Sequence, residues 1–81
     1  MAKLTDEQCE KNKDVDTKEI QWDIDVTQKE IEQYEAEITV FEKNRGNNRI
    51  PIYFREGKIA ARKEFVETLN SILEYRLKTK P

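Results

Sequence analysis

A seven-residue repeat in the first half of the sequence constrains the fold more than any other feature. From Ile20 to Phe41, side chains that suit a buried seam recur at alternating intervals of four and three residues. This spacing is typical of one face of a long amphipathic helix, and acidic residues flank it. The sequence therefore predicts a first long helix over 16–44. Its seam consists of Ile20, Ile24, Thr27, Ile31, Tyr34, Ile38 and Phe41.

Capping signals mark both ends of this helix. Asp16, with Glu19 three residues later, has the pattern of a capping box, in which side chains bond to the free backbone N–H groups of the first turn. The segment 44–48 is rich in asparagine and glycine, which tolerate a left-handed backbone. We therefore expect the helix to end near Asn44 and a loop to follow over 45–50.

The second half of the sequence contains a matching repeat. Pro51 suits the first turn of a helix, because the N–H group that it lacks has no partner there. Gly57 costs about 1 kcal/mol relative to alanine inside a helix. We predict a second long helix over 51–78, irregular from Ile50 to Gly57. Its seam consists of Arg55, Ile59, Arg62, Val66, Leu69, Leu73 and Arg76.

Two long helices joined by about six residues are expected to lie antiparallel. Facing residues of a hairpin have a nearly constant sum of positions, and the two seams meet this condition throughout, with sums of 96 or 97. The facing pairs include Tyr34 with Arg62 and Phe41 with Arg55. The predicted fold is therefore all-α, a single domain over 1–81 built on an antiparallel helical hairpin.

Residues 1–15 form an amino-terminal arm in which a short helix is expected. Thr5, with Gln8 three residues later, has the pattern of a second capping box. We expect this arm to cover part of the apolar surface that lies outside the hairpin seam. Its apolar side chains are Leu4, Cys9 and Val15.

Apolar side chains off the two seams predict self-association. A chain of 81 residues builds only a small core, and the arm is too short to cover everything that the seams leave open. We expect further copies of the chain to cover the rest, in a four-helix bundle or a higher oligomer with coiled-coil packing. The side chains concerned are Trp22, Val26, Val40, Phe54, Phe65, Ile72 and Tyr75.

Composition argues against several classes of function. A chain with no histidine and one cysteine lacks the usual ligands of zinc and the commonest general base, so we expect no enzymatic activity, no catalytic residue, no metal site and no cofactor. No apolar run approaches the roughly 18 residues of a membrane span, and the amino terminus lacks the apolar stretch of a signal peptide. We therefore expect a cytoplasmic protein with no membrane partner.

Charge is divided unevenly along the chain. Residues 1–42 carry 13 acidic and 5 basic side chains, and residues 43–81 carry 4 and 10, which gives −8 and +6 within a net charge of −2. Two such halves neutralise each other when they lie side by side. The alternative is that the basic half meets an anionic partner.

Basic residues concentrate near the predicted loop. Arg55 and Arg62 take seam positions where an apolar side chain would pack better. They either pair with Glu35, Glu37 or Glu42, or they bind an anion through their guanidinium groups, with a tyrosine as stacking face. The candidate anion site consists of Arg49, Arg55, Lys58, Arg62, Tyr34 and Tyr53.

The expected function is binding rather than catalysis. We expect a non-enzymatic oligomer that binds an unidentified protein, as an inhibitor or an adaptor. The alternative is sequestration of a small phosphorylated ligand, a nucleotide or cyclic nucleotide, at the basic loop end, and nucleic acid is a third and weaker candidate. A short helix followed by a hairpin is similar in shape to small phage proteins that sequester cyclic nucleotides or block host machinery.

Overall fold

The chain forms three α-helices in a computed structural model that describes residues 3–44 and 49–79. Helix α1 spans Asp6–Lys11, α2 spans Thr17–Lys43 and α3 spans Arg49–Thr79. The two long helices pack against each other, and α1 packs against α3. The predicted all-α fold with one short and two long helices is confirmed. None of the described helices is long and apolar enough to cross a membrane.

The molecule is elongated and has a narrow interior. Its principal extents are 57 × 22 × 16 Å, and its radius of gyration of 16.3 Å exceeds the roughly 12 Å expected for a globular domain of this length. Two packed helices bury only the stripe along which they touch. The core is consequently small relative to the surface.

The starts of α1 and α2 follow from their capping residues. The side chain of Thr5 accepts a hydrogen bond from the Gln8 N–H at 3.2 Å, and the Gln8 side chain accepts one from the Thr5 N–H at 3.0 Å, which is the predicted capping box. Asp16 also caps its helix as predicted. Its carboxylate, however, accepts from the N–H of Lys18 at 2.9 Å, whereas a capping box would use the N–H of Glu19.

Helix α2 ends at Lys43, so the predicted end near Asn44 is confirmed, but the start of the next helix differs from the prediction. Asn44 has extended backbone angles (φ −82°, ψ 140°), and its N–H bonds back to the carbonyls of Val40 and Phe41. Residues 45–48 of the predicted loop lie outside the described residues. Helix α3 already includes Arg49 and Ile50. Pro51 is thus its third residue, where the absent N–H would still have had no acceptor within the helix.

The predicted irregularity between Ile50 and Gly57 is wrong, because α3 is helical through both residues. A Cβ atom placed on Gly57 meets no other atom within 4 Å, so the glycine does not serve a close approach. Its cost of about 1 kcal/mol is therefore outweighed by the helix packing on either side.

The main core lies where α1 meets the start of α2 and the end of α3. The buried side chains there form one cluster, against which Leu4, Val66, Leu73 and Tyr75 pack. Ile31 and Ile59 are buried farther toward the loop. The core of this fold is therefore concentrated at one end. The cluster consists of Cys9, Ile20, Ile24, Leu69 and Ile72.

Helix α1 is held to α3 by polar contacts around Ser71. The Leu4 N–H donates to the Ser71 hydroxyl at 3.1 Å, and the Cys9 thiol donates to the Ser71 carbonyl at 3.6 Å. The Tyr75 hydroxyl donates to Glu10 at 2.8 Å. The arm therefore covers Ile72 and Tyr75, as predicted. Trp22, Val40, Phe54 and Phe65 remain exposed.

Candidate functional site

The predicted basic cluster lies on the loop half of the two long helices, where α3 directs arginines toward α2. Arg55 and Arg62 are seven residues apart and so project from the same face of α3. Both are only partly exposed, with 28% and 29% of their side-chain surface accessible. Their guanidinium groups lie between the two helices, which is the seam position that the repeat predicts.

Arg55 packs on an aromatic ring and pairs with a carboxylate. Its guanidinium carbon lies 4.7 Å from the centre of the Phe41 ring. Its Nε donates to Glu37 Oε1 at 2.6 Å, and its Nη1 donates to the carbonyl of Pro51 at 3.2 Å. A guanidinium over an aromatic face is attracted by the ring quadrupole, and the carboxylate neutralises its charge.

Arg62 repeats the arrangement one heptad away. Its guanidinium carbon lies 5.0 Å from the centre of the Tyr34 ring, and its Nε donates to Glu30 Oε2 at 3.1 Å. The Lys58 ammonium also lies over Tyr34, at 5.5 Å. We call these two arrangements the arginine triads: Arg55, Phe41 and Glu37, and Arg62, Tyr34 and Glu30.

The carboxylate of one triad is held in its ionised form by hydrogen bonds. Gln33 donates to Glu37 Oε2 at 2.9 Å and Arg55 donates to Oε1. These two bonds, in that order of size, lower the pKa of Glu37 below its ordinary value of 4.5. The carboxylate therefore stays charged opposite Arg55 at neutral pH.

The structure brings only part of the predicted anion site together. Tyr34, Lys58 and Arg62 form one group. Tyr53 is two residues from Arg55, about 200° around the helix, and its ring contacts Phe54 edge-on at 6.4 Å. Arg49 is exposed at the first residue of α3.

The glutamates of the triads were only partly anticipated from the sequence. Glu37 was among the expected partners of the arginines, but Glu30 was not. Each glutamate lies four residues before the aromatic residue of its triad, so it stands one turn away on the same side of α2. The predicted register of the two seams contained this signal, because an extended arginine reaches about one turn beyond the residue that it faces.

Two shallow depressions flank the Arg62 triad. One, of about 390 Å³, is on α2, and the other, of about 550 Å³, is on α3. The first is lined by Val26, Lys29, Glu30, Gln33, Tyr34 and Glu37. The second is lined by Tyr53, Phe54, Glu56, Gly57, Lys58, Ala61 and Arg62.

Similarity to known proteins adds no function to this geometry. Comparison with protein-family models, with curated proteins and with solved structures found no match. Within residues 3–44 and 49–79, no three cysteine or carboxylate side chains are grouped so that they would hold a metal ion. The arginine triads and the exposed apolar surface are therefore the features of the molecule that bear on its function.

Proposed function

We propose that the protein is a non-enzymatic, homo-oligomeric helical hairpin that acts by binding another protein, as an inhibitor or an adaptor. The observation that supports this proposal is the amount of apolar surface that stays exposed to solvent. Among the described residues, eight large hydrophobic side chains are exposed, including Trp22, Tyr53 and Phe54, whereas seven apolar side chains are buried. Exposed apolar surface on this scale is typical of interaction sites.

The antiparallel arrangement of α2 and α3 is supported by the order of their contacts. Glu37 pairs with Arg55, Glu30 with Arg62 and Thr17 with Arg76. The residue numbers on α2 therefore decrease as those on α3 increase. A cysteine pair at positions 38 and 59, in a Cys9→Ser background, tests this register. We expect an intrachain disulfide under mild oxidation. Faster crosslinking of a pair at positions 38 and 55 would place the register one turn away.

Self-association is supported by the small size of the core. A chain of 81 residues that folds alone is marginally stable, and a partner adds the missing apolar burial. Light scattering at micromolar concentration should give the mass of a dimer or a larger species. A monomer that unfolds cooperatively, with a midpoint independent of concentration, would contradict self-association.

A separate surface is available for the protein partner. The outer face of α2 between residues 22 and 43 carries mainly basic, amide and apolar side chains, with the exposed Asp25 between Trp22 and Lys29. Trp22 and Val40 on this face are 64% and 58% exposed. An aromatic anchor among polar neighbours is typical of an interface centre. We define the outer face as Trp22, Asp25, Lys29, Gln33, Ala36, Val40 and Lys43.

Two variants test this surface, by comparing which proteins each variant captures from an extract of the native cell. Trp22→Ser with Val40→Ser should lose a captured protein that the unmodified chain retains, because both apolar anchors are removed. Lys29→Ser, on the same face, should retain it. Circular dichroism checks that helix content is unchanged. Identical captured proteins with all three chains would contradict a partner site on the outer face.

Sequestration of a phosphorylated ligand has less support from the geometry. Arg55 and Arg62 are each paired with a glutamate, which an anion would have to displace. A nucleotide or polyphosphate that raises the melting temperature of the unmodified protein, but not of Arg62→Met, would favour the ligand. If Arg62 is only structural, Arg62→Met should change the melting temperature by a few degrees at most and no anion should shift it, because the pair is partly solvated.

A further inference from the structure

Helix α3 carries a second apolar stripe that α1 covers only in part. Phe54, Ala61, Phe65 and Ile72 follow at intervals of seven, four and seven residues, and so lie on one side of the helix. Exposure rises along this stripe with distance from α1. Ile72 is 5% exposed beneath α1, Phe65 is 47% exposed and Phe54 is 62% exposed. The loop half of the stripe therefore continues a packing surface beyond its present cover.

Helix α1 is too short to cover the whole stripe. Helix α1 has 6 residues, about 9 Å, whereas α3 has 31 residues, about 46 Å. The arm therefore cannot extend from Ile72 to Phe54. No other segment of residues 3–44 and 49–79 covers the two phenylalanines, of which Phe65 remains 47% and Phe54 62% exposed.

The depression on α2 lies at the same level as Phe65. Facing residues sum to 96 in the observed contacts of Arg55 with Phe41 and of Arg62 with Tyr34. By this register Phe65 is level with residue 31. The residues that line the depression fall between positions 26 and 37, and Val26 and Tyr34 supply apolar surface there. A side chain at the level of Phe65, on a second hairpin placed over this one, would enter it.

We propose that a second copy of the chain docks on this open face, related by a two-fold axis parallel to the long helices. Phe65 of each copy then enters the depression between Val26 and Tyr34 of the other. Such an axis keeps every residue at its own level while it places α3 of one copy over α2 of the other. The inference rests on the self-association in the proposed function, to which it adds a face and a contact.

Area fits a second copy, and charge does not oppose it. The α2 margin of the open face carries Lys29 besides Glu30 and Glu37, and both glutamates pair with arginines of their own chain. The two-fold axis brings Lys58 of the α3 margin level with Glu37 of the other copy, so that opposite charges meet at this level. At about 200 Å² per aromatic side chain, Phe54 and Phe65 of two copies together expose roughly 400 Å² of apolar surface, a fitting centre for an interface of standard size.

The experiment measures dimer dissociation in variants of the full chain. Phe54→Ser with Phe65→Ser removes the stripe, and Val26→Glu independently places a carboxylate in the depression. We expect each to raise the dissociation constant about 30-fold or more, as loss of an interface hot spot does. Leu77→Ser is the control, since this side chain is 75% exposed and lies off the stripe. Sedimentation equilibrium gives the constants, and circular dichroism at low concentration verifies helix content.

The outcomes separate this inference from the proposed function. An unmodified chain that is monomeric throughout would overturn both. An unmodified dimer that the stripe variant leaves intact would overturn the open face while self-association stands. If the stripe variant dissociates but Val26→Glu does not, insertion of Phe65 into the depression is wrong. Dissociation of the control to the same extent would also overturn the assignment.

Discussion

The two ends of the helical pair are built differently although one repeat runs through both. At the α1 end, the seam positions are apolar except for Arg76, and a third segment closes over them, so that Ile20 is 1% exposed. At the loop end, the same positions carry Arg55 and Arg62, which pack on aromatic rings and pair with glutamates. One end is a core, and the other is a partly solvated polar seam.

This difference shows that a heptad position determines the direction in which a side chain projects, but not whether that side chain is apolar or charged. Seven residues beyond Arg62 the seam residue is Leu69, and beyond that it is Arg76, so charge and apolar burial alternate within one stripe. An arginine suits a seam where its methylene groups cover apolar surface while its head stays partly wet. The loop end is consequently specified by ion pairs of modest energy, and most of the stability should lie at the α1 end.

The largest expected effect contrasts two isoleucines of the α2 seam. Ile20→Ala should lower the free energy of unfolding by about 3 kcal/mol, because it leaves a cavity in the cluster under α1. Ile38→Ala, at a half-buried position near the triads, should cost about 1 kcal/mol. Urea unfolding followed by circular dichroism at 222 nm measures both. Equal losses would mean that the two ends contribute alike.

A smaller effect is expected from the hydroxyl that anchors the arm. Ser71→Ala removes the acceptor of the Leu4 N–H and should cost about 1 kcal/mol, because that partly buried donor loses its partner. Amide exchange should accelerate in α1 and stay unchanged around Arg55. Thr79→Ala, which removes an exposed hydroxyl bonded within its own helix, is the control. Faster exchange at both ends would show that the arm and the loop end unfold together.

The smallest effects are opposite pH dependences at the two ends. The lowered pKa of Glu37 means that its contribution is present above its unfolded pKa, near 4.5, and is lost as pH falls through the folded pKa. The hydrogen bond to Glu10, followed by burial, raises the pKa of Tyr75 above 10.0, so its contribution is present below pH 10 and is lost as pH rises through the folded pKa.

Two variants separate these dependences. Glu37→Gln should flatten the acid limb of stability against pH, and Tyr75→Phe should flatten the alkaline limb. Thermal unfolding between pH 3 and 11 measures both limbs. An alkaline limb that persists in Tyr75→Phe would assign it to another group.

Much of the fold could be predicted from the sequence because its signals are local. The Thr5 and Gln8 capping box and the Asp16 cap lie within one turn of their helices. The facing of Arg62 and Tyr34 followed from the two repeats alone, since only one register pairs both seams. The antiparallel hairpin and its assembly into an oligomer stay predictions.

The predictions that were wrong or incomplete concern features that tertiary contacts determine. The continuity of α3 through Gly57 depends on packing that propensity does not contain. For the candidate site, the arginines were found because they interrupt an apolar repeat. Glu30 was missed because one exposed glutamate among many carries no distinguishing local pattern.

The attachment of α1 also sets an order for folding. Leu4 bonds to a residue 67 positions later, and Asp6 pairs with Lys78, 72 positions later. Contacts between the two long helices join residues that are closer in sequence, such as Glu37 and Arg55, 18 positions apart, so they form at a lower entropic cost. The amino-terminal arm, although it is synthesised before both long helices, is therefore the last of these segments to pack, and until it does, Ile20 and Ile72 are left open to the solvent.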